Sequence, residues 1–544
     1  MPVSSSSSSS VIAISSSSVS SAASSSTSSS VSSTSSSAQS SASSSSAEVD
    51  ITGTVTYDRV PVTSTGLDYA NTYEQPVRAA VVNLVDSSGQ ILANTETNDA
   101  GSYSFTIDAN TLVKIQVEAR SQRTGTPRWH LRVEDNTNDN ALYVLEGALF
   151  NSGSSHSNRD LHAPSGWTGN SYGDVRSAAP FAILDTVYDA LTKLLESDAN
   201  LQLPVSRLRW SPLNKTANGA LTSGDIGTSF YSNSVIYILG DEDNDTDEYD
   251  QHVVAHEWAH YLEDKLANRQ DSVGGSHSGS DKLDMRVAFS EGFGNAIAGH
   301  VLADALYLDT YSAQQGFAGG FDIAAGSYSD SGWFNESSIQ SILYRFSQTT
   351  GGFDAVVDVL SSPHYRDSEA HLSIFTFADV LSNVEPTKLS SFESFYNAET
   401  IHSTDAFALG ETNDGGTPNA LPIYKTLPTD GSITNVCSTQ INGTSQGSNK
   451  LGSWVYFTIQ PTVTGTYRLD INKTSPAARA TDPDFIVALR GQSIAEGYSA
   501  EVDAESNSFS LVNGNLYVVS VQDWNAHSDS NEASCFDLTL AQLP

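Results

Sequence analysis

The sequence predicts a multidomain chain: an α+β core built from an edge-strand sheet and a helical subdomain, flanked by two all-β sandwiches and preceded by a disordered serine-rich N-terminus. Three observations predict it. Residues 4–46 are serine with scattered small or apolar residues, without charge or proline. Period-two alternation marks residues 48 to about 120 and the segment after Pro428, while helical periodicity dominates from about 250 to 410. The boundaries follow as 1–47 linker, 48–125 first sandwich, 126–428 central domain and 429–544 second sandwich.

Composition narrows the function. The 544 residues carry 26 Lys and Arg against 63 Asp and Glu, a net charge of -37, so nothing neutralises phosphates and a nucleic-acid partner is excluded. Two cysteines exclude a disulfide scaffold, and no run of about 18 apolar residues is present to cross a membrane. The serine tract buries too little to offset its chain entropy and reads as a linker or stalk. A tether needs something to tether to, so a signal or lipid-attachment segment is expected upstream. The protein is then extracellular or held at a cell envelope, against a cytoplasmic protein with a biased tail.

In the first sandwich, Ile51, Gly53, Val55 and Tyr57 alternate, as do Ala80, Val82 and Leu84. The segments Asp86–Gly89 and Asn98–Gly101 supply turns. The succession GTVTY, AVVNLVD and TNDAGSYSF resembles the carboxypeptidase regulatory-like family over about 70 residues, which implies a structural or spacing module. In the central domain, Phe181, Leu184, Tyr188, Leu191 and Leu195 share one helical face, with Pro180 in the first turn. A strand follows at 235–239.

The chemistry concentrates in YDQHVVAHEWAHYLEDKL, residues 249–266. On a helix, His256 and His260 lie one turn apart and offer imidazole nitrogens to one metal ion. Glu257 sits beside the first ligand, where it can take a proton from an activated water and deliver it to a leaving amine. Val253, Val254, Leu262 and Leu266 would bury the other helix faces. A catalytic zinc needs a third protein ligand. Glu291 lies at the centre of RVAFSEGFGNAIAGH, 31 positions after His260, beyond a loop rich in Gly and Ser. Glu263 and Asp264 point off the ligand face, and His300 lies beyond the centre of the second helix.

This pattern resembles the gluzincin metallopeptidases, the group of thermolysin-like and fungalysin-like enzymes, in which HExxH is followed by Glu-Gly on a second helix. The resemblance implies zinc held by His256, His260 and Glu291, with Glu257 as general base. Asn295 stands where an aspartate is usual, and would orient a ligand histidine through its amide oxygen. Tyr344, His364, Tyr365, His371 and His402 are all candidates for an oxyanion donor, and no motif selects among them. Trp333 and Phe334 suit a substrate cleft or the core.

The acidic run 241–250 begins with EF-hand spacing, but its sixth position is Thr246 and its twelfth His252, so that reading fails. A calcium site of another kind stands against a solvated acidic loop. The C-terminal TGTYRLDI, DPDFIVALRG and GNLYVVSVQDW are similar to the pre-peptidase C-terminal domain of secreted bacterial peptidases. That resemblance implies a Cys437–Cys535 disulfide between first and last strands, against two buried thiols. The leading reading is a secreted or surface-displayed zinc endopeptidase acting on protein or peptide substrates, of unspecified oligomeric state. The alternatives are a carbohydrate-active or glycan-binding protein and a metal-stabilised surface protein that does not cut.

Overall fold

Alternation of buried and exposed residues along Glu48–Arg59 makes it the spine of the first sheet. It pairs antiparallel with Tyr73–Pro76 and Ser102–Asp108, and parallel with Ser157–Asn158 and Leu161–Ala163. The facing sheet holds Val81–Asp86, Ile91–Glu96, Leu112–Glu118, Val144–Glu146 and Phe150–Asn151. Ile51, Val55, Tyr57, Val82, Leu84, Phe105, Ile115 and Val117 fill the space between them. The chain thus leaves the first sandwich and returns to it through residues 144–163, short strands whose polar, broken pattern carries no strand signal. The computed structural model describes residues 47–173, 175–327, 329–439, 441–442, 449–527 and 532–544. The serine tract read as a linker lies outside them, apart from Ala47.

Between the two visits to the sandwich, Arg128–Asp135 starts the central sheet. It runs parallel to Gln202–Trp210, which runs parallel to Val235–Ile238. The expectation that residues 235–239 form a sheet edge is corrected here. Phe230–Ser232 pairs antiparallel on their outer side and takes the edge. A three-residue strand ahead of a tight turn at Asn233 and Ser234, both at positive φ, has too few alternations to register in sequence.

Against this sheet packs α1, Ala179–Ser197, whose Phe181, Ile183, Leu184, Val187, Leu191 and Leu194 are buried. The next helix, α2, spans Gln251–Ala267 and is buried continuously from His252 to Glu263. Its apolar Val254, Trp258, Tyr261 and Leu262 join the main core. The third, α3, spans Met285–Leu302 and packs between α2 and α4, Glu336–Ser347. Gly292 permits the close approach of α4, because a Cβ there would stand 2.6 Å from Ile339 Cβ. Four further helices, α5 (Gly352–Ser361), α6 (Pro363–Arg366), α7 (Ile374–Val384) and α8 (Pro386–Ala398), complete the helical part among the described residues.

The C-terminal sandwich stacks a five-stranded sheet on a four-stranded one. Phe457, Ile459, Leu469, Phe485, Val519 and Leu538 form their shared core. A Cys437–Cys535 disulfide joins directly opposed residues of Thr434–Ser438 and Ser534–Gln542. Gln492–Gly497 and Ala504–Leu511 add strands without a clear sequence signal, since their mainly polar side chains face outward. Residues 47–544 form one compact unit, and no described helix is long and apolar enough to cross a membrane.

Candidate metal centre

Two helices and one loop bring the candidate residues together. His256 and His260 stand one turn apart on α2, and their Nε2 atoms lie 3.0 Å apart. Glu291, from the middle of α3, places Oε2 3.4 Å from His256 Nε2 and 3.6 Å from His260 Nε2. Donors about 2.0–2.1 Å from a tetrahedral zinc are separated by about 3.3 Å, so this triangle has the size of one face of such a site. The three residues offer ligand atoms that all lie within 4.8 Å of one another.

Hydrogen bonding sets which nitrogens face the centre. His256 Nδ1 donates to Asn295 Oδ1 at 2.8 Å, and His260 Nδ1 meets Ser290 Oγ at 3.2 Å. With both protons on Nδ1, two Nε2 lone pairs converge beside a carboxylate, an arrangement that calls for a cation between them. Residues Glu257, Glu263 and Glu336 are also buried around this point. The donor set therefore fits a divalent metal ion on geometry and on charge.

Glu257 is 8 % exposed. Burial raises its carboxyl above the ordinary range, and the Glu291 charge adds to this against the opposing pull of His256 and His260. The nearby backbone of Tyr231, on the edge strand, works slightly against that rise. For Glu291 the balance is reversed. Burial would raise its carboxyl, yet the three histidines His260, His256 and His277 hold it well below the usual range. An open cleft of about 420 Å³ reaches the centre, lined by Tyr231, Asn233, His260, Gln270, Val273 and Glu291 among others.

The remaining sequence candidates lie elsewhere. Asp264 accepts from the Tyr231 hydroxyl and from Lys265, while His300 stacks on Phe353 at 3.9 Å and meets Ser347. Glu263 approaches His260 Nδ1 at 3.8 Å, on the side away from the triangle. Among the proposed oxyanion donors, Tyr365 is fully buried against Phe289 and His371 is buried between Asp271 and Ser520. Trp333 and Phe334 belong to the core.

Two residues near the centre escaped sequence reasoning. His277, on the loop between α2 and α3, sets Nε2 3.5 Å from both Glu291 Oε2 and Glu336 Oε2. Tyr307 packs edge-on to the His256 ring at 6.3 Å. Neither lies in a motif, and only the placement of loop 268–284 and of strand Leu306–Tyr311 reveals them. That loop is held by the C-terminal sandwich: Lys450 Nζ donates to Ser276 O at 2.8 Å and pairs with Asp281 at 3.0 Å. The start of α3 is held likewise, since Arg286 stacks over Trp454 and Tyr456, and Asp284 accepts from the Tyr456 hydroxyl.

A second group of carboxylates gathers Asp245, Asp247 and Asp309. The first two come from the acidic run, and Asp309 comes from strand Leu306–Tyr311 across from it. Burial pushes Asp245 up to about 7, with the Asp309 charge adding to it, and burial pushes Asp309 to about 6. Asp250, fully buried next to the group, accepts at Oδ2 from the Thr310 backbone N–H and hydroxyl and leaves Oδ1 unpartnered.

No family model matches this sequence, and no curated protein matches it. Among solved structures, the precursor of protealysin, a metalloproteinase from Serratia proteamaculans, is similar at 9% identity with a TM-score of 0.30, covering 51% of this chain and 88% of that one. The pre-peptidase C-terminal domain of a collagenase from Bacillus anthracis is similar at 10% identity and a TM-score of 0.16, covering 22% of this chain and 96% of that one. A Paenibacillus cycloisomaltooligosaccharide glucanotransferase covers 89% of this chain and 72% of its own length at 8% identity and a TM-score of 0.13. At such scores the functional reading rests on the geometry of the centre itself.

Proposed function

We propose that this chain is a zinc-dependent endopeptidase that works outside the cytoplasm, with His256, His260 and Glu291 as metal ligands and Glu257 as general base and acid. The observation that carries the reading is the triangle of 3.0, 3.4 and 3.6 Å between three ligand atoms, with the buried Glu257 beside it. A zinc ion held there supplies Lewis acidity, acidifying water and polarising a carbonyl. Glu257 accepts the proton of the attacking water and returns it to the leaving amine. Burial, which raises its carboxyl above the ordinary range, favours holding the proton between the two halves of that exchange.

The edge strand supports a peptide substrate over a glycan. Among the described residues Phe230–Ser232 pairs only with Val235–Ile238, so its outer edge is free to take an extended peptide by main-chain hydrogen bonds. Tyr231 on that strand lines the cleft together with His260 and Glu291, so an added strand would run beside the metal ligands. The disulfide suits an oxidising compartment. The carboxylate group Asp245, Asp247 and Asp309, with the free Oδ1 of Asp250, is assigned to calcium, an oxygen-seeking cation.

Metal analysis of the purified full chain tests the reading. One zinc per chain is expected, together with cleavage of casein that a chelator abolishes and added zinc restores. A chain that takes up no zinc would contradict it, and zinc without cleavage would favour a non-catalytic surface protein.

A further inference from the structure

Each histidine of the candidate centre is backed by a neutral side chain and, behind that, by a buried carboxylate. His256 Nδ1 donates to Asn295 Oδ1, and Asn295 Nδ2 donates in turn to Glu336 Oε1 at 2.8 Å and Gln340 Oε1 at 2.9 Å. His260 Nδ1 meets Ser290 Oγ, and the Ser290 hydroxyl donates to Glu263 Oε2 at 2.6 Å. Glu263 is 1 % exposed and Glu336 8 %, so neither carboxylate is exchanged for water at little cost.

The direction of each chain is fixed at its far end. An amide has one accepting and one donating atom, and by itself Asn295 would serve either way round. Burial raises the Glu336 carboxyl, and His277, with Nε2 3.5 Å from its Oε2, opposes this; as a carboxylate Glu336 only accepts, and it then holds Asn295 with Nδ2 toward itself and Oδ1 toward His256. Gln340 cannot enforce this, because its own amide can turn. The serine hydroxyl is equally ambivalent: it donates to Glu263 and leaves an oxygen lone pair to accept from His260 Nδ1–H. Both imidazoles are therefore held with the proton on Nδ1 and the lone pair on Nε2, the form a metal ion requires.

We infer that Glu336 and Glu263 are positioning residues which set the tautomers of His256 and His260 through Asn295 and Ser290. The inference deepens the metallopeptidase reading and rests on it. It also explains how Asn295 occupies a place suited to an aspartate: the negative charge sits one residue further out, on Glu336. Neither glutamate touches the metal position or the substrate.

The test is zinc affinity of the full chain, measured by competition with a chromophoric chelator, with far-UV circular dichroism of the metal-free forms to follow folding. Glu336→Gln and Glu263→Gln keep side-chain size, and each is expected to weaken zinc binding by about 10- to 100-fold. Moving the charge inward in Asn295→Asp/Glu336→Gln is expected to restore affinity to within about threefold of wild type, because an aspartate accepts from His256 directly. A merely structural role for Glu336 would give no such rescue. Should Glu336→Gln alone fold poorly, the folded double variant is compared with wild type, and an affinity weaker by about tenfold or more would overturn the inference. Affinities unchanged in both single variants, or a double variant no tighter than Glu336→Gln, would overturn the inference while leaving zinc bound to the wild type. A wild-type chain that takes up no zinc would overturn the metallopeptidase reading and the relays with it.

Discussion

Gly294→Ala places one methyl group against the His256 ring. A Cβ at Gly294 would stand 2.7 Å from Cε1, 2.8 Å from Nδ1 and 3.0 Å from Nε2 of that histidine. The closest approach is about 0.7 Å short of the 3.4 Å at which ordinary contact begins. The ring has to move by about that distance, whereas functional metal–ligand distances tolerate about 0.2 Å. The substitution should weaken zinc binding by at least about 100-fold, the upper end of what losing an outer partner does. Helix propensity acts in the opposite direction, since Ala in place of Gly within a helix is favourable by about 0.8–1 kcal/mol. Helix formation alone therefore cannot account for a loss. Chelator competition on wild type and Gly294→Ala gives the affinity, and circular dichroism gives the helix content. An affinity within about threefold of wild type would refute the assignment of His256 as a ligand.

Three other expectations follow from the surroundings of the centre. In the acidic group the folded carboxyls of Asp245 and Asp309 lie above their unfolded values, so the folded chain binds more protons and the metal-free protein loses stability as pH rises from about 4 to 7. Millimolar calcium should raise Tm, more at pH 7.5 than at pH 5; no shift at pH 7.5 would remove the calcium assignment. Asp284→Ala removes the α3 N-cap and the partner of the buried Arg286, and should lower stability by about 3–5 kcal/mol, read as a large drop in Tm; an unchanged Tm would contradict the clamp. Lys450→Ala frees the loop carrying His277, and faster hydrogen exchange should appear across residues 272–283; unchanged exchange would show that the loop is held by other contacts.

The parts of the fold with repeated local signals were legible in the sequence. The alternation along residues 51–57 and the one-sided periodicity of residues 181–195 appear as a strand and as α1 because each side chain's burial follows its own period. Short elements were not. Phe230–Ser232 is too short to show a period, and the strands Ser157–Asn158 and Leu161–Ala163 are defined by partners in Glu48–Arg59, a pairing across about 100 residues that leaves no local trace. At the centre, His256 and His260 could be related through helix geometry alone, and Glu291 needed a family resemblance. Glu336 lies 41 positions from the Asn295 amide it accepts, and His277 sits in a Gly- and Ser-rich loop, so only tertiary packing brings either to the metal position. Asp309 likewise joins the acidic run from a separate strand, which is why a search for loop spacing alone could not complete that group.

The central claim is that a zinc centre uses Glu257 to cut peptide bonds, and Glu257→Gln in the full chain tests it most directly, with zinc content and casein cleavage measured on the same preparation. The account predicts one zinc per chain in both proteins and a cleavage rate lower by about 10²- to 10⁴-fold in the variant. Cleavage that persists undiminished in a zinc-loaded Glu257→Gln protein would contradict it.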